Sequence, residues 1–191
     1  MNELFEILAK APSEAWVGLL GVAVGAVLSI FGVWLANRSS ITQLHIQLEQ
    51  ERSAKEDNLK RERLEELYLL IDKWLGGIFY NYLQLSLVMR GEIDYNQYHD
   101  QVIEYGKDNH VDFSRLGMIV GIYGHELESS YEKIMAAREE FNKVSLKHKH
   151  SYEAGDIDGE KYLKPFTAAQ IKIEELTESF KKEIAEHVKR L

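Results

Sequence analysis

Between Glu14 and Arg38 the chain carries no charged side chain: Ala15 to Asn37 reads AWVGLLGVAVGAVLSIFGVWLAN. As an α-helix this run is roughly 34 Å long at about 1.5 Å per residue. The hydrocarbon core of a bilayer is about 30 Å thick, so the run is long enough to cross it with some tilt. Its polar content is small. The Ser29 hydroxyl can bond back to its own helix, and Asn37 sits at the exit. Trp16 and Trp34 lie near the two ends, where indole rings favour the headgroup layer, and Arg38 follows directly. A core helix of a soluble protein is seldom this long without a charge. A cleaved signal peptide has a basic start and a shorter apolar stretch, whereas the residues ahead of this run are mainly acidic. The expectation is a membrane-spanning helix over 15–37.

The small residues of the run are ordered. Gly18, Gly21, Gly25, Ser29 and Gly32 recur at steps of three or four and form one stripe. Gly21-xxx-Gly25-xxx-Ser29 is the small-xxx-small spacing that lets two helix backbones approach closely in lipid. Leu19, Leu20, Val27, Leu28, Ile30 and Phe31 cover most of the remaining surface. Since a lone span has no helix of its own chain to pack against, this stripe predicts a homo-oligomer held through the transmembrane helix, of unspecified number.

Orientation follows from the basic residues beside the span. Lys10 stands alone before it, while Arg38, Arg52 and Lys55 follow. The bias places the carboxyl-terminal domain in the cytoplasm. The net charge of the chain is −8. Residues up to Arg38 account for −1 and the remainder for −7. An acidic domain excludes nucleic acid as a partner, because phosphates call for a basic face. It also argues against a domain lying flat on anionic lipid. Cysteine is absent, so disulfides and thiolate metal sites are excluded. Only Pro12 and Pro165 are prolines, and that scarcity, with abundant Glu, Lys, Leu and Ala, points to an all-α chain.

Four segments result. Residues 1–14 form a short amphipathic segment with Leu4, Phe5, Ile7 and Leu8, broken by Ala-Pro-Ser-Glu, with Ser13 as N-cap of the span. Residues 15–37 are the transmembrane helix. Residues 38–58 are a charged helical neck. Ile41, Leu44 and Leu48 extend the helix beyond the membrane, and Glu49 to Asn58 then holds nothing apolar larger than Ala54. Glu51–Lys55, Glu56–Lys60 and Asp57–Arg61 have the acid-first i,i+4 spacing that stabilises a solvated helix. The seam at 41, 44 and 48 is out of heptad register with the next, so a continuous coiled coil is not supported.

Residues 59–191 read as an antiparallel cytoplasmic helical bundle. Leu64, Tyr68, Ile71, Leu75, Ile78, Tyr82 and Leu85 form a core-facing stripe. Gly76-Gly77 within it either admits a close neighbour or marks a kink. Gly91 closes this helix, and Asp94 caps the next, with Tyr95, Tyr98, Val102 and Tyr105 on one face. A turn is expected over Gly106 to His110. Asp112 opens a helix that Gly121 and Gly124 weaken before the stripe resumes at Leu127. A turn is read over Ser151 to Lys164, and a last helix after Pro165 carries Phe166, Ile173, Leu176, Phe180, Ile184, Val188 and Leu191.

With those segments in place the chain resembles an uncharacterised group of bacterial single-pass membrane proteins with a cytoplasmic helical or coiled-coil domain. The resemblance is carried by GVWLANR, LEQER and RERLEELY around the neck, and by MIVGIYGHELESSYEKIMAAREEFNKV. It implies a bacterial inner-membrane protein of the architecture just read, and it supplies no catalytic residue. The group often has a Tyr-Phe-Pro-like break where this chain has Tyr123-Gly124-His125, which leaves open whether the helix breaks or bends there.

Motifs of chemistry are weak. His148 and His150 stand at i,i+2, which does not place two ligands on one helix face, and they read as a solvated helix end. His125-Glu126 has Ser129 where a zinc-protease helix needs its second histidine. Asp156-Ile-Asp158-Gly159 lacks the remaining ligands of a calcium loop and reads as a turn. No phosphate loop or nucleophile elbow occurs. Catalytic, cofactor-binding and metal residues are therefore expected to be none. The expected function is non-enzymatic: a membrane-anchored helical protein that self-associates and presents its bundle to an unknown protein partner. By association alone, such anchors serve as accessory or effector subunits of envelope or phage-defence systems. The alternative is an oligomeric pore gated by the bundle, against which the span offers no strongly polar face besides Ser29.

Overall fold

The computed structural model describes residues 12–191, with side chains described for Pro12 and from Trp16 onward; the amphipathic segment of residues 1–10 and the Ser13 cap lie outside what is described. All regular structure among the described residues is helical. The helices are α1 (Ser13–Met89), α2 (Tyr95–Asn109), α3 (Phe113–Tyr123), α4 (Glu128–Glu153) and α5 (Glu160–Arg190), with a 3-10 turn, His125–Leu127, between α3 and α4. The chain divides into two units, Met1–Lys55 and Glu56–Leu191.

In the first unit every described side chain from Trp16 to Lys55 is exposed. The second unit has a core. From α1 it takes Leu64, Leu67, Ile71, Trp74, Leu85, Val88 and Met89. Leu116, Ile119 and Val120 come from α3, Ile134 and Phe141 from α4, and Phe166, Ile173, Phe180 and Ile184 from α5. The spacings are mostly three, four or seven residues, one or two helical turns, so each helix buries one stripe. Tyr68, predicted as core, lies at the rim, while Leu67 and Trp74 are buried in its place. Helices α4 and α5 pack along each other.

The ends of the helices follow from local chemistry. Gly91, at φ +73°, closes α1 by donating to the Val88 carbonyl, while Glu92 donates to Leu87. That pair of bonds is a Schellman motif, and a glycine takes its left-handed position at little cost. Asp94 accepts from the Gln97 backbone and Gln97 accepts from the Asp94 backbone, a complete capping box. Asp112 accepts from the Arg115 backbone to start α3.

Four expectations are corrected. The turn predicted at 106–110 is helical as far as Asn109, because α2 is closed by the extended backbone of His110 rather than by Gly106. The single helix read from Asp112 through Val144 is two, α3 and α4, and the question left open at Tyr123-Gly124-His125 is answered by a break at Gly124. Gly124 is buried, and a side chain there would meet Leu127 Cδ1 at 3.2 Å and Leu64 Cδ2 at 3.6 Å. The last helix begins at Glu160, ahead of Pro165, which falls in its second turn. The i,i+4 pairs of the neck do not close. Lys60 reaches Glu126 at 3.9 Å, because exposed pairs are worth too little to hold long side chains in one geometry.

Gly76 and Gly77 separate in role. A Cβ on Gly76 would lie 3.7 Å from the Tyr105 hydroxyl, whereas Gly77 faces open space. Tyr105 stacks on Tyr80 with ring centroids 4.0 Å apart, so α2 approaches α1 beside Gly76.

Candidate functional site

Two regions carry the sequence-predicted residues. The first is the apolar part of α1, the one helix among the described residues long and apolar enough to cross a membrane. Gly18, Gly21, Gly25 and Gly32 all face open space, with nothing within 4 Å of where a Cβ would stand. Ser29 donates to the Gly25 carbonyl at 2.8 Å. This satisfies its only proton inside the helix and leaves the stripe free of an unpaired donor. Trp16 and Trp34 are both exposed. The Arg38 guanidinium lies over the Trp34 ring, 5.5 Å from its centroid. A cation held on an indole face suits the depth at which headgroups meet hydrocarbon.

The second region forms where α1, α2, α4 and α5 meet, and its centre is His148. The solvated-end reading of this residue is overturned: His148 is 0% exposed. His150, two residues on, points to solvent, so the two rings are not brought together. The Tyr95 hydroxyl lies 2.8 Å from His148 Nδ1. Burial pushes the Tyr95 hydroxyl pKa well up, so it keeps its proton and can either donate to Nδ1 or accept from it, according to the imidazole tautomer. The ring's other nitrogen is Nε2. That atom is buried with no partner. Tyr162 meets the imidazole edge-on at 5.3 Å, and Tyr152 packs edge-on against Tyr95 at 4.8 Å. Tyr98 continues the cluster and donates to Asn81 Oδ1 at 3.0 Å.

Burial lowers the His148 pKa, Asp156 opposes that shift, and Lys161 adds to it. The imidazole is therefore a neutral base sealed from solvent. Chemically the cluster ties four helices together; its imidazole is enclosed, while Tyr95 and Tyr98 line an open surface pocket of about 350 Å³ with Asn81 and His99. The turn beside it explains the neighbouring motif. Asp156 accepts from Ser151 at 2.9 Å and Lys161 at 2.6 Å, and Asp158 accepts from the Glu160 backbone at 3.1 Å. Both carboxylates thus brace the turn. Gly159 closes it against the core: a Cβ there would stand 2.4 Å from Met89 Cα, 2.5 Å from Met89 O and 2.8 Å from His148 Nε2. Among the described residues no three His, Asp or Glu side chains are grouped to hold a metal ion.

Two ionic ties join distant parts of the second unit. Glu66 on α1 receives Arg115 of α3 in a two-pronged contact, Nε at 2.7 Å and Nη2 at 2.8 Å, with Arg63 at 2.9 Å. The Arg115 and Arg63 donors hold the Glu66 carboxyl down at about 2. Lys181 on α5 donates to Asp72 at 2.6 Å and Glu178 at 2.9 Å, and lies over the Tyr68 ring.

Sequence reasoning missed the His148 cluster, Gly159 and the Glu66 contact. Only Gly159 left a usable signal, as a glycine directly before a helix in a turn already rich in aspartate. No protein-family model, curated protein or solved structure matches this chain.

Proposed function

We propose that this chain is a single-pass membrane anchor that self-associates and presents a helical bundle to a partner protein. The observation that carries the reading is the helix over Trp16 to Asn37, uncharged and exposed on every side. About 20 consecutive apolar side chains cannot remain in water without cover, and a bilayer supplies that cover around the whole circumference. The excess of Arg and Lys after the span sets residues 59–191 in the cytoplasm. The resemblance stated above makes the bacterial inner membrane the setting. The open faces of Gly18, Gly21, Gly25 and Gly32 support close approach of a second span. The shared core and the short turns support an antiparallel bundle in residues 59–191. The His148 imidazole at the centre of its cluster is enclosed, which supports a scaffold over an enzyme that uses this base. A pore has less support, since the one hydroxyl in the stripe is spent on its own helix.

Alkaline carbonate extraction tests the anchor. The full chain should stay in the membrane pellet, and a chain lacking residues 15–37 should move to the supernatant. Release of the full chain by carbonate would refute the reading.

A further inference from the structure

We propose that the groove between α1 and α5 in the second unit is a two-fold contact between copies of this chain. The groove holds about 470 Å³ and its walls are almost wholly apolar: Tyr68 and Leu69 on one side, Ile184 and Val188 on the other. Leu69 is 68% exposed, the most exposed large apolar side chain of α1 beyond the first unit. A branched side chain standing beside a groove of its own making is both knob and hole.

The rim decides the occupant. Glu65 lies on the α1 side and Lys189 on the α5 side of the same groove. Each is exposed, and neither forms an ion pair among the described residues, whereas Lys181 nearby is bound to Asp72 and Glu178. A two-fold axis running along the groove lays the α1 wall of one copy over the α5 wall of the other. Glu65 of each copy then faces Lys189 of its mate, and Leu69 of each enters the opposite groove. Such an interface is self-complementary in shape and charge. An unrelated acidic or basic partner would satisfy only one of the two rim charges. The contact rests on the self-association reading, because copies tethered to one membrane meet at high effective concentration. It is a separate surface from the glycine stripe.

The absence of cysteine makes single-cysteine reporters unambiguous. Full-length Leu69→Cys and Ala185→Cys chains, co-reconstituted in vesicles and mildly oxidised, should form a mixed disulfide. A control mixture of Ile103→Cys and Ile157→Cys chains, exposed positions outside the groove, should not. Glu65→Lys alone or Lys189→Glu alone should lower the yield at least about fivefold, and the two together should restore it. A Val22→Cys chain reports pairing of the spans in parallel. Cross-linking at Val22 without cross-linking at the groove overturns this proposal and leaves the anchor reading in place. No cross-linking at either site overturns this proposal together with the self-association it rests on. A groove disulfide that survives each single charge reversal overturns the assigned pairing.

Discussion

Gly159→Ala adds one carbon at the tightest glycine of the chain. The new Cβ would stand 2.4 Å from Met89 Cα and 2.5 Å from Met89 O. Carbon atoms in contact prefer separations of about 3.5–4.0 Å, so the overlap exceeds 1 Å. Neither obstacle is a side-chain end that can swing away. Gly159 has φ −93°, so an alanine adopts the backbone without strain and the whole penalty is steric. To relieve it, the turn before α5 must lift off Met89 and open the His148 cluster. Over-packing of a close-packed site costs about 1–3 kcal/mol, and two backbone contacts place this one at the upper end, about 3 kcal/mol. Gly77→Ala is the matched control. It sits inside α1 facing open space, so the same added carbon should stabilise by about 0.5–1 kcal/mol. Denaturant unfolding of the full chain in detergent, followed by circular dichroism, reads both. Opposite signs are expected, with unchanged dependence on denaturant. If Gly159→Ala unfolds within about 0.5 kcal/mol of the parent, the packing of the turn against Met89 is wrong.

Three further outcomes follow from the ties and the stripe. Glu66→Gln should cost about 2 kcal/mol: a shift from 4.5 to about 2 is worth about 1.4 kcal/mol per unit, discounted because water still reaches the carboxylate. That stability is present above 4.5 and lost as pH falls towards 2, so acid unfolding of the variant should be flatter over this window. His148 has its folded value below the ordinary 6.5. The unfolded chain therefore takes up the proton first, and stability is full above 6.5 and lost as pH falls below it; His148→Phe should reduce the slope measured between pH 5 and 7. Gly21→Ile with Gly25→Ile should weaken association of the spans in membranes, while Leu20→Ala with Val24→Ala should change it much less, and equal association of the isoleucine variant would make the stripe merely compositional.

The parts legible in the sequence are those decided locally. An uncharged run, a glycine at a helix end and an aspartate before an apolar stripe act through neighbours a few residues away. Accordingly the exposed apolar helix, Gly91, Asp94, Asp112 and the Phe166–Ile184 stripe of α5 lie where the pattern puts them. His148 was illegible because Lys147, Lys149 and His150 surround it, and its burial is made by Tyr95 and Tyr162 arriving from other helices. At the Gly124 break the tightest neighbour of an added Cβ is local, Leu127 Cδ1 at 3.2 Å, and Leu64 of α1 lies at ordinary contact distance, 3.6 Å. Local pattern misled in the neck, where acid-first spacing promised pairs that solvent does not favour. It misled again at Pro165, where a helix begun earlier at Glu160 carries the proline in its second turn.

The central claim is that residues 15–37 cross a bilayer once and leave the acidic domain in the cytoplasm. Paired reporters fused after Leu191 test it most directly, one active only in the cytoplasm and the other only beyond the membrane. The account predicts activity from the cytoplasmic reporter and silence from the other. Activity on the far side of the membrane would contradict the orientation drawn from Arg38, Arg52 and Lys55. A cytoplasmic signal that persists with the chain recovered entirely in the soluble fraction would contradict the span itself.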